Sequence, residues 1–155
     1  MIVVVSDTSA ISTLLQIGEI EILEKLYTQI LIPEAVRDEL RYSHNQIPDF
    51  IQTVTVAPLP GLHRRLIELD AGEAYAITLA EQLDADLLII DEKKGRAAAA
   101  SSAIRYMGLA GVLIEAKHKS IIPNLSDILQ RITVRAGFRL SRQIQEAMLK
   151  AVGEL

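Results

Sequence analysis

Two continuous apolar stretches of the chain each end in carboxylates. Ile2–Val5 is followed closely by Asp7, and Leu87–Ile90 is followed directly by Asp91 and Glu92. Apolar runs without alternation are typical of strands buried on both faces of a parallel sheet. Functional residues in such sheets usually lie at the carboxyl ends of the strands. If the two strands are neighbours, we expect Asp7 and Asp91 to converge at one edge.

Two further acids lie on predicted helices that could face the same edge. Glu39 stands near the end of a helix that begins at Pro33, and Glu73 lies in the first turn of another, beside Gly72. Proline favours the first helical position, and glycine permits close backbone approach. Four carboxylates in one place repel one another unless a divalent cation neutralises them. Oxygen ligands suit Mg²⁺, Mn²⁺ or Ca²⁺, and the first two commonly assist displacement at phosphorus.

Each acid also has an ordinary structural interpretation. Asp7, or one of the two hydroxyl residues after it, could cap the next helix. Glu73 could complement a helix dipole, and Asp91 could be a turn residue. Glu39 could pair with a neighbouring arginine on the surface. These alternatives stay open when each residue is considered alone.

Short apolar strands alternate with helices, which predicts a parallel three-layer α/β/α sandwich. No repeat or linker interrupts the chain, so residues 1–155 are interpreted as a single domain. Besides the two strands above, the predicted strands are Gln29–Ile32, Val54–Val56 and Ile104–Met107. The predicted helices are Ala10–Gln16, Glu19–Tyr27, Pro33–Arg41, Leu62–Leu69, Asp70–Leu83, Ala97–Ala103, Gly108–His118, Pro123–Arg135 and, after a break at Gly137, Ser141–Val152.

Composition excludes several classes of protein. There is no cysteine, which rules out disulfides, thiolate metal sites and cysteine nucleophiles, and three scattered histidines argue against a zinc site. No apolar run reaches the roughly 20 residues of a membrane span. The start lacks the pattern of a signal peptide, so we expect a cytoplasmic protein without membrane contact.

Charge is distributed unevenly within a net charge of −4. Residues 1–92 hold 5 basic and 16 acidic residues, whereas residues 93–155 hold 11 basic and 4 acidic residues. The candidate metal ligands thus lie in an acidic half, beside a basic half able to meet phosphates. Ordinary solvated faces give the same pattern, so the asymmetry alone decides nothing.

Four segments, taken in order, resemble the motifs of PIN-domain nucleases. They are Ile2–Ser9, Leu31–Leu40, Asp70–Ile77 and Leu87–Arg96. The resemblance covers nearly the whole chain, including the ending Ala136–Ser141, and points to a prokaryotic branch related to VapC-type toxins. No single motif is specific, but four in order at plausible spacing are.

The resemblance implies a PIN-like sheet of strand order 3-2-1-4-5 and an Mg²⁺- or Mn²⁺-dependent endoribonuclease that hydrolyses single-stranded RNA. The implied products are a 5′-phosphate and a 3′-hydroxyl. Such proteins are usually dimeric, and the apolar helices around residues 17–26 are a possible contact surface. In toxin–antitoxin pairs, a small antitoxin covers the acidic groove.

The resemblance also implies roles for particular residues. Thr8 or Ser9 would orient one of the metal ligands or a metal-bound water through a hydrogen bond. The basic residues expected to meet RNA phosphates are Lys93, Lys94 and Arg96. The implied catalytic metal ligands are Asp7, Glu39, Glu73 and Asp91, with Glu92 as a further candidate.

The chain departs from the family pattern at two places. Family members often carry Thr-x-Asp after the late strand, whereas Ile90-Asp91-Glu92 stands here. Either Asp91 or Glu92 could therefore be the fourth ligand, and the strand-end position favours Asp91. The loop Met107–Leu109 lacks the hydroxyl residues expected in close relatives.

Other functions with strand-end acids fit less well. A haloacid-dehalogenase-like phosphohydrolase needs a second Asp two residues after the first, where Ser9 stands. A receiver-like phosphoacceptor needs a late strand-end Lys, which no strand supplies. The remaining alternative is a degenerate PIN-like module that binds or dimerises without nuclease activity.

Overall fold

The structure, a computed structural model, describes residues 2–136 and 139–155. Its centre is a five-stranded, all-parallel sheet with the order β3-β2-β1-β4-β5. The strands are β1 (Val4–Ser6), β2 (Ile30–Pro33), β3 (Ile51–Val54), β4 (Leu87–Ile89) and β5 (Tyr106–Met107). This confirms the predicted parallel α/β sheet and its strand order.

Helices cover both faces of the sheet. They are α1 (Thr8–Gln16), α2 (Glu21–Tyr27), α3 (Glu34–Ser43), α4 (Leu62–Glu68), α5 (Ala71–Gln82), α6 (Lys93–Ser101), α7 (Leu109–His118), α8 (Leu125–Arg135) and α9 (Arg142–Ala151). Val5 and Leu88 pack with α5 and α6, whereas Val4 and Ile89 pack into the larger cluster on the other face. Both faces of the central strands are therefore apolar, which explains their unbroken hydrophobic runs.

Two predicted elements differ most from the structure. The third strand lies at Ile51–Val54 rather than at Val54–Val56, because it pairs with β2 in a register that sets Ile30 opposite Ile51. Helix α6 begins at Lys93, four residues before its predicted start, because Glu92 already takes the N-cap position. Its basic residues therefore lie in a helical first turn instead of a leading loop.

The suggested contact surface around residues 17–26 stays a prediction, although three of its apolar side chains are buried in the core. Ile17, Ile22 and Leu23 are each at most 3% exposed and belong to the core. The chain break expected at Gly137, and with it part of the similar ending 136–141, lies outside the described residues. Across the described ranges, no helix has both the length and the apolar character to cross a membrane.

Candidate active site

Asp7 follows β1 directly and is only 5% exposed. Its backbone N–H donates a 2.9 Å hydrogen bond to the carbonyl of Ile89, which extends the β1–β4 pairing to the strand ends. Asp7 holds the N-cap position of α1, yet its side chain forms no capping hydrogen bond. The capping interpretation therefore does not account for the buried carboxylate.

The environment of Asp7 disfavours its charged form. Its pKa is raised to about 7, mainly because burial removes solvation. The negative charges that raise this pKa further belong to Asp70, Glu39 and Asp91, while the backbone N–H of Thr8 lowers it. Acids from three other parts of the chain thus act on Asp7, and a bound cation would relieve their repulsion.

Glu39 lies at the exposed rim, on the last turns of α3. The Thr8 hydroxyl donates a hydrogen bond to its Oε2 atom, so the start of α1 orients this acid. A Cβ atom at Gly72 would lie 2.6 Å from Glu39 Oε1. Glycine at position 72 therefore lets the start of α5 approach the Glu39 carboxylate.

Glu73 is 5% exposed and forms a capping box with Asp70. Its N–H donates to Asp70 Oδ1 at 2.9 Å, and its Oε1 accepts from the N–H of Asp70 at 3.4 Å. Burial and the charge of Asp70 raise the pKa of Glu73, and Asp7 adds to this. Its Oε2 atom is buried without a hydrogen-bond partner in the described structure. Helix capping thus uses only one oxygen of the carboxylate.

Asp91 follows the end of β4, and two donors fix it. Its Oδ1 atom accepts from the N–H of Leu109 at 3.0 Å and lies 3.3 Å from Arg96 Nη2. Burial raises its pKa, although these two donors oppose the shift. Glu92 is exposed at the N-cap of α6, without a side-chain capping bond. The geometry favours Asp91 over Glu92 as the acid beside Asp7.

Asp70 lies beside the candidate site, although the sequence predicts it only as the start of a helix and of the third motif segment. Its charge raises the pKa of both Asp7 and Glu73. The spacing Asp70-x-x-Glu73 is a capping-box pattern, and it was the signal that could have placed the two side chains together.

The predicted phosphate-binding residues separate in the structure. Arg96 contacts Asp91 and also donates from Nε to the carbonyl of Ile90 at 3.3 Å. Lys94 instead lines a groove between α4 and α6, together with Ile67. Lys93 is exposed on the first turn of α6. Of the three, Arg96 is the one in contact with a site acid.

The acids offer ligands of the right chemistry for a hard divalent cation. Within residues 2–136 and 139–155, no three His, Asp or Glu side chains are arranged so that together they could hold a metal ion. One oxygen of Glu73 and both oxygens of Asp91 accept from backbone N–H groups instead. The unpartnered Glu73 Oε2 and the raised pKa of Asp7 nevertheless fit an all-oxygen site for Mg²⁺ or Mn²⁺.

A family model described as a PIN domain matches residues 3–154. The chain belongs to the PIN-domain family. This confirms the family that the four sequence segments indicated. PIN domains are usually nucleases and generally use divalent metal ions, so this PIN domain is expected to act on nucleic acid. Searches of the curated proteins and of the solved structures gave no significant match.

Proposed function

We propose that this PIN domain is a metal-dependent endoribonuclease that hydrolyses phosphodiester bonds in single-stranded RNA. One observation carries the proposal: the buried Asp7 carboxylate has its pKa raised to about 7, in part by acids on α3, at the N-cap of α5 and after the end of β4. Carboxylates gathered in this way repel one another unless a cation is bound. The carboxyl edge of the sheet is therefore a candidate catalytic site.

Asp7, Glu39, Glu73 and Asp91 would hold Mg²⁺ or Mn²⁺. When bound, such a cation activates a water molecule and shields the phosphodiester charge. Cleavage would leave a 5′-phosphate and a 3′-hydroxyl.

Neighbouring donors would keep these carboxylates in place. Thr8 donates to Glu39, and the Leu109 N–H donates to Asp91. Asp70 holds Glu73 through the capping box. Fixed outer partners of this kind tune how tightly carboxylates hold a metal.

The same proposal makes the chain the toxin of a toxin–antitoxin pair, homodimeric and cytoplasmic. The resemblance of its four motif segments to the VapC-related branch supports this. We expect the protein encoded next to it to co-purify with it and to block its nuclease activity. Failure of that protein to bind would contradict the toxin role but not the nuclease activity.

A degenerate module without nuclease activity is the second candidate. The Arg96–Asp91 ion pair favours it, because a guanidinium already compensates one of the acids. Tight RNA binding without cleavage under any metal condition would support this alternative.

The decisive assay follows cleavage of a labelled single-stranded RNA with Mg²⁺, with Mn²⁺ and with EDTA. We expect cleavage by the wild type with metal only, and a loss of at least about 100-fold in Asp7→Asn. Glu146→Gln, which removes an exposed acid on α9, serves as the matched control. Equal cleavage by the wild type and Asp7→Asn, or cleavage by neither, contradicts the proposal.

A further inference from the structure

A groove of about 740 Å³ runs from Asp91 along α1 to the segment that enters α9. Its α1 wall is polar, since the side chains that line it are Thr8, Ser9, Ser12, Thr13 and Gln16. These positions recur at a spacing of three to four residues, so they form one helix face. The opposite wall includes Arg139, Leu140 and Ile144.

Two arginines, Arg96 and Arg139, line the groove, and Asp91 and Glu92 line its end beside the acidic cluster. The Arg96 side chain is 43% exposed even though it contacts Asp91. Arg139 is exposed, and it forms no ion pair with any acid of the described chain. Both belong to the basic half of the sequence. Guanidinium groups bind phosphate through paired N–H donors.

The groove also has an apolar part. Ile144 is 46% exposed although it is large and apolar, and Leu140 and Ala110 line the same space. A cavity of this size is within the range that holds small ligands. The groove thus offers an apolar wall, the polar side chains of α1 and guanidinium groups. These match the base, the sugar and the phosphate of an unpaired nucleotide.

We propose that this groove binds the single-stranded RNA next to the bond that is cleaved. Arg139 contacts a phosphate, and Leu140 with Ile144 contacts an unpaired base. Since bases in a duplex are stacked and paired, they cannot reach this wall, so the groove selects single strands. The inference rests on the proposed nuclease function and adds Arg139 and Ile144 as substrate-positioning residues.

The first test measures binding of a fluorescent single-stranded RNA in EDTA over a series of salt concentrations. Arg139→Ala is compared with Arg142→Ala. The Arg142 side chain is 93% exposed and does not line the groove. We expect Arg139→Ala to weaken binding roughly five-fold and to reduce the salt slope by about 0.7, as for one lost phosphate contact. Arg142→Ala should match the wild type. Equal affinities and slopes for the two variants overturn the proposal.

The second test addresses the base contact. Ile144→Ala is compared with Val134→Ala, an exposed apolar residue on α8 outside the groove. We expect Ile144→Ala to weaken binding about three-fold. The difference in affinity between Ile144→Ala and the wild type should disappear when the RNA lacks the one base that contacts Ile144. If Ile144→Ala weakens binding equally for the intact RNA and for every RNA with a single abasic position, the base contact is contradicted.

The two proposals fail in different ways. Asp7→Asn should bind RNA in EDTA and fail to cleave it when Mg²⁺ or Mn²⁺ is supplied. Arg139→Ala should cleave with a raised KM and an unchanged kcat when the same metal is supplied. If the wild type cleaves but the Arg139 and Arg142 variants behave alike, only the groove is refuted. If Asp7→Asn cleaves normally while Arg139→Ala binds weakly, the groove stands and the proposed catalytic site does not.

Discussion

A Cβ atom at position 95 would lie 2.9 Å from the unpartnered Oε2 atom of Glu73. The same atom would lie 2.6 Å from Cδ1 of Ile90. Gly95 on α6 therefore lets that helix pack against the buried carboxylate with no side chain between them. The glycine preserves both the position of Glu73 and the space beside its free oxygen.

Gly95→Ala is expected to lower nuclease activity at least about ten-fold, because Glu73 must move out of its place. Alanine is about 1 kcal/mol more favourable than glycine in a helix. This gain and the steric clash therefore change the free energy of unfolding in opposite directions. Gly111→Ala is the matched control, because its Cβ would meet Met107 at 2.5 Å and no site acid. Cleavage rates and unfolding curves of both variants check this. Equal activity loss in both contradicts a specific role for Gly95.

Asp91→Asn and Glu92→Gln should differ strongly. The Asp91 side chain is only 8% exposed and adds to the charge that raises the pKa of Asp7, whereas Glu92 is exposed. We expect Asp91→Asn to lose at least about 100-fold in cleavage rate and Glu92→Gln to stay within a few-fold of the wild type. The reverse order would assign the fourth ligand to Glu92.

Stability without metal should fall as pH rises. In the folded chain Asp7 keeps its proton up to about pH 7, whereas the ordinary value for the unfolded chain is 3.8. The folded state binds more protons between these values, so the free energy of unfolding decreases as pH rises through that window. Asp7→Asn removes the part of this dependence that comes from Asp7 and should be stabilising by of the order of 2 kcal/mol at pH 8, with little change at pH 4. Thermal unfolding in EDTA over this range measures it. Parallel profiles for the wild type and Asp7→Asn would contradict the buried, protonated state.

The convergence of Asp7 and Asp91 could be predicted because the sheet is parallel. Both central strands are buried on their two faces, as shown by Val4, Val5 and Leu87–Ile90. A continuous apolar run in the sequence indicates such a strand. Once the two strands are neighbours, their carboxyl ends must meet at one edge. The family resemblance then supplied the acids on α3 and α5.

The orientation of individual side chains could not be predicted in the same way. Lys94 and Arg96 are two residues apart on α6, yet they line different grooves. The rotation of a helix about its own axis is set by packing, here by the contact of Gly95 with Ile90. The position of β3 likewise depends on its pairing with β2, which no local pattern encodes.

Glu154 should contribute to stability far from the site. Its carboxylate accepts from the N–H groups of Leu125 at 2.7 Å and Ser126 at 3.1 Å, and it lies 3.3 Å from Lys117. Partial burial alone would raise its pKa, but these three partners hold it below the ordinary 4.5. Its contribution is therefore present above that value and lost as pH falls through the lowered pKa.

Glu154→Gln is expected to cost about 1 kcal/mol of unfolding free energy at pH 7, as for loss of a helix cap. The cost should shrink toward pH 3. Urea unfolding at the two pH values checks this, with Glu146→Gln as the control on α9. An equal cost at both values would show that the charge of Glu154 is not what stabilises the start of α8.

The presence of a shared cation site is tested most directly by calorimetric titration with Mn²⁺ at pH 8. We expect the wild type to bind the ion, Asp7→Asn to bind it at least about ten-fold more weakly, and Glu146→Gln to match the wild type. Absence of binding to the wild type, or equal binding by Asp7→Asn, would show that the acids around Asp7 do not form a metal site.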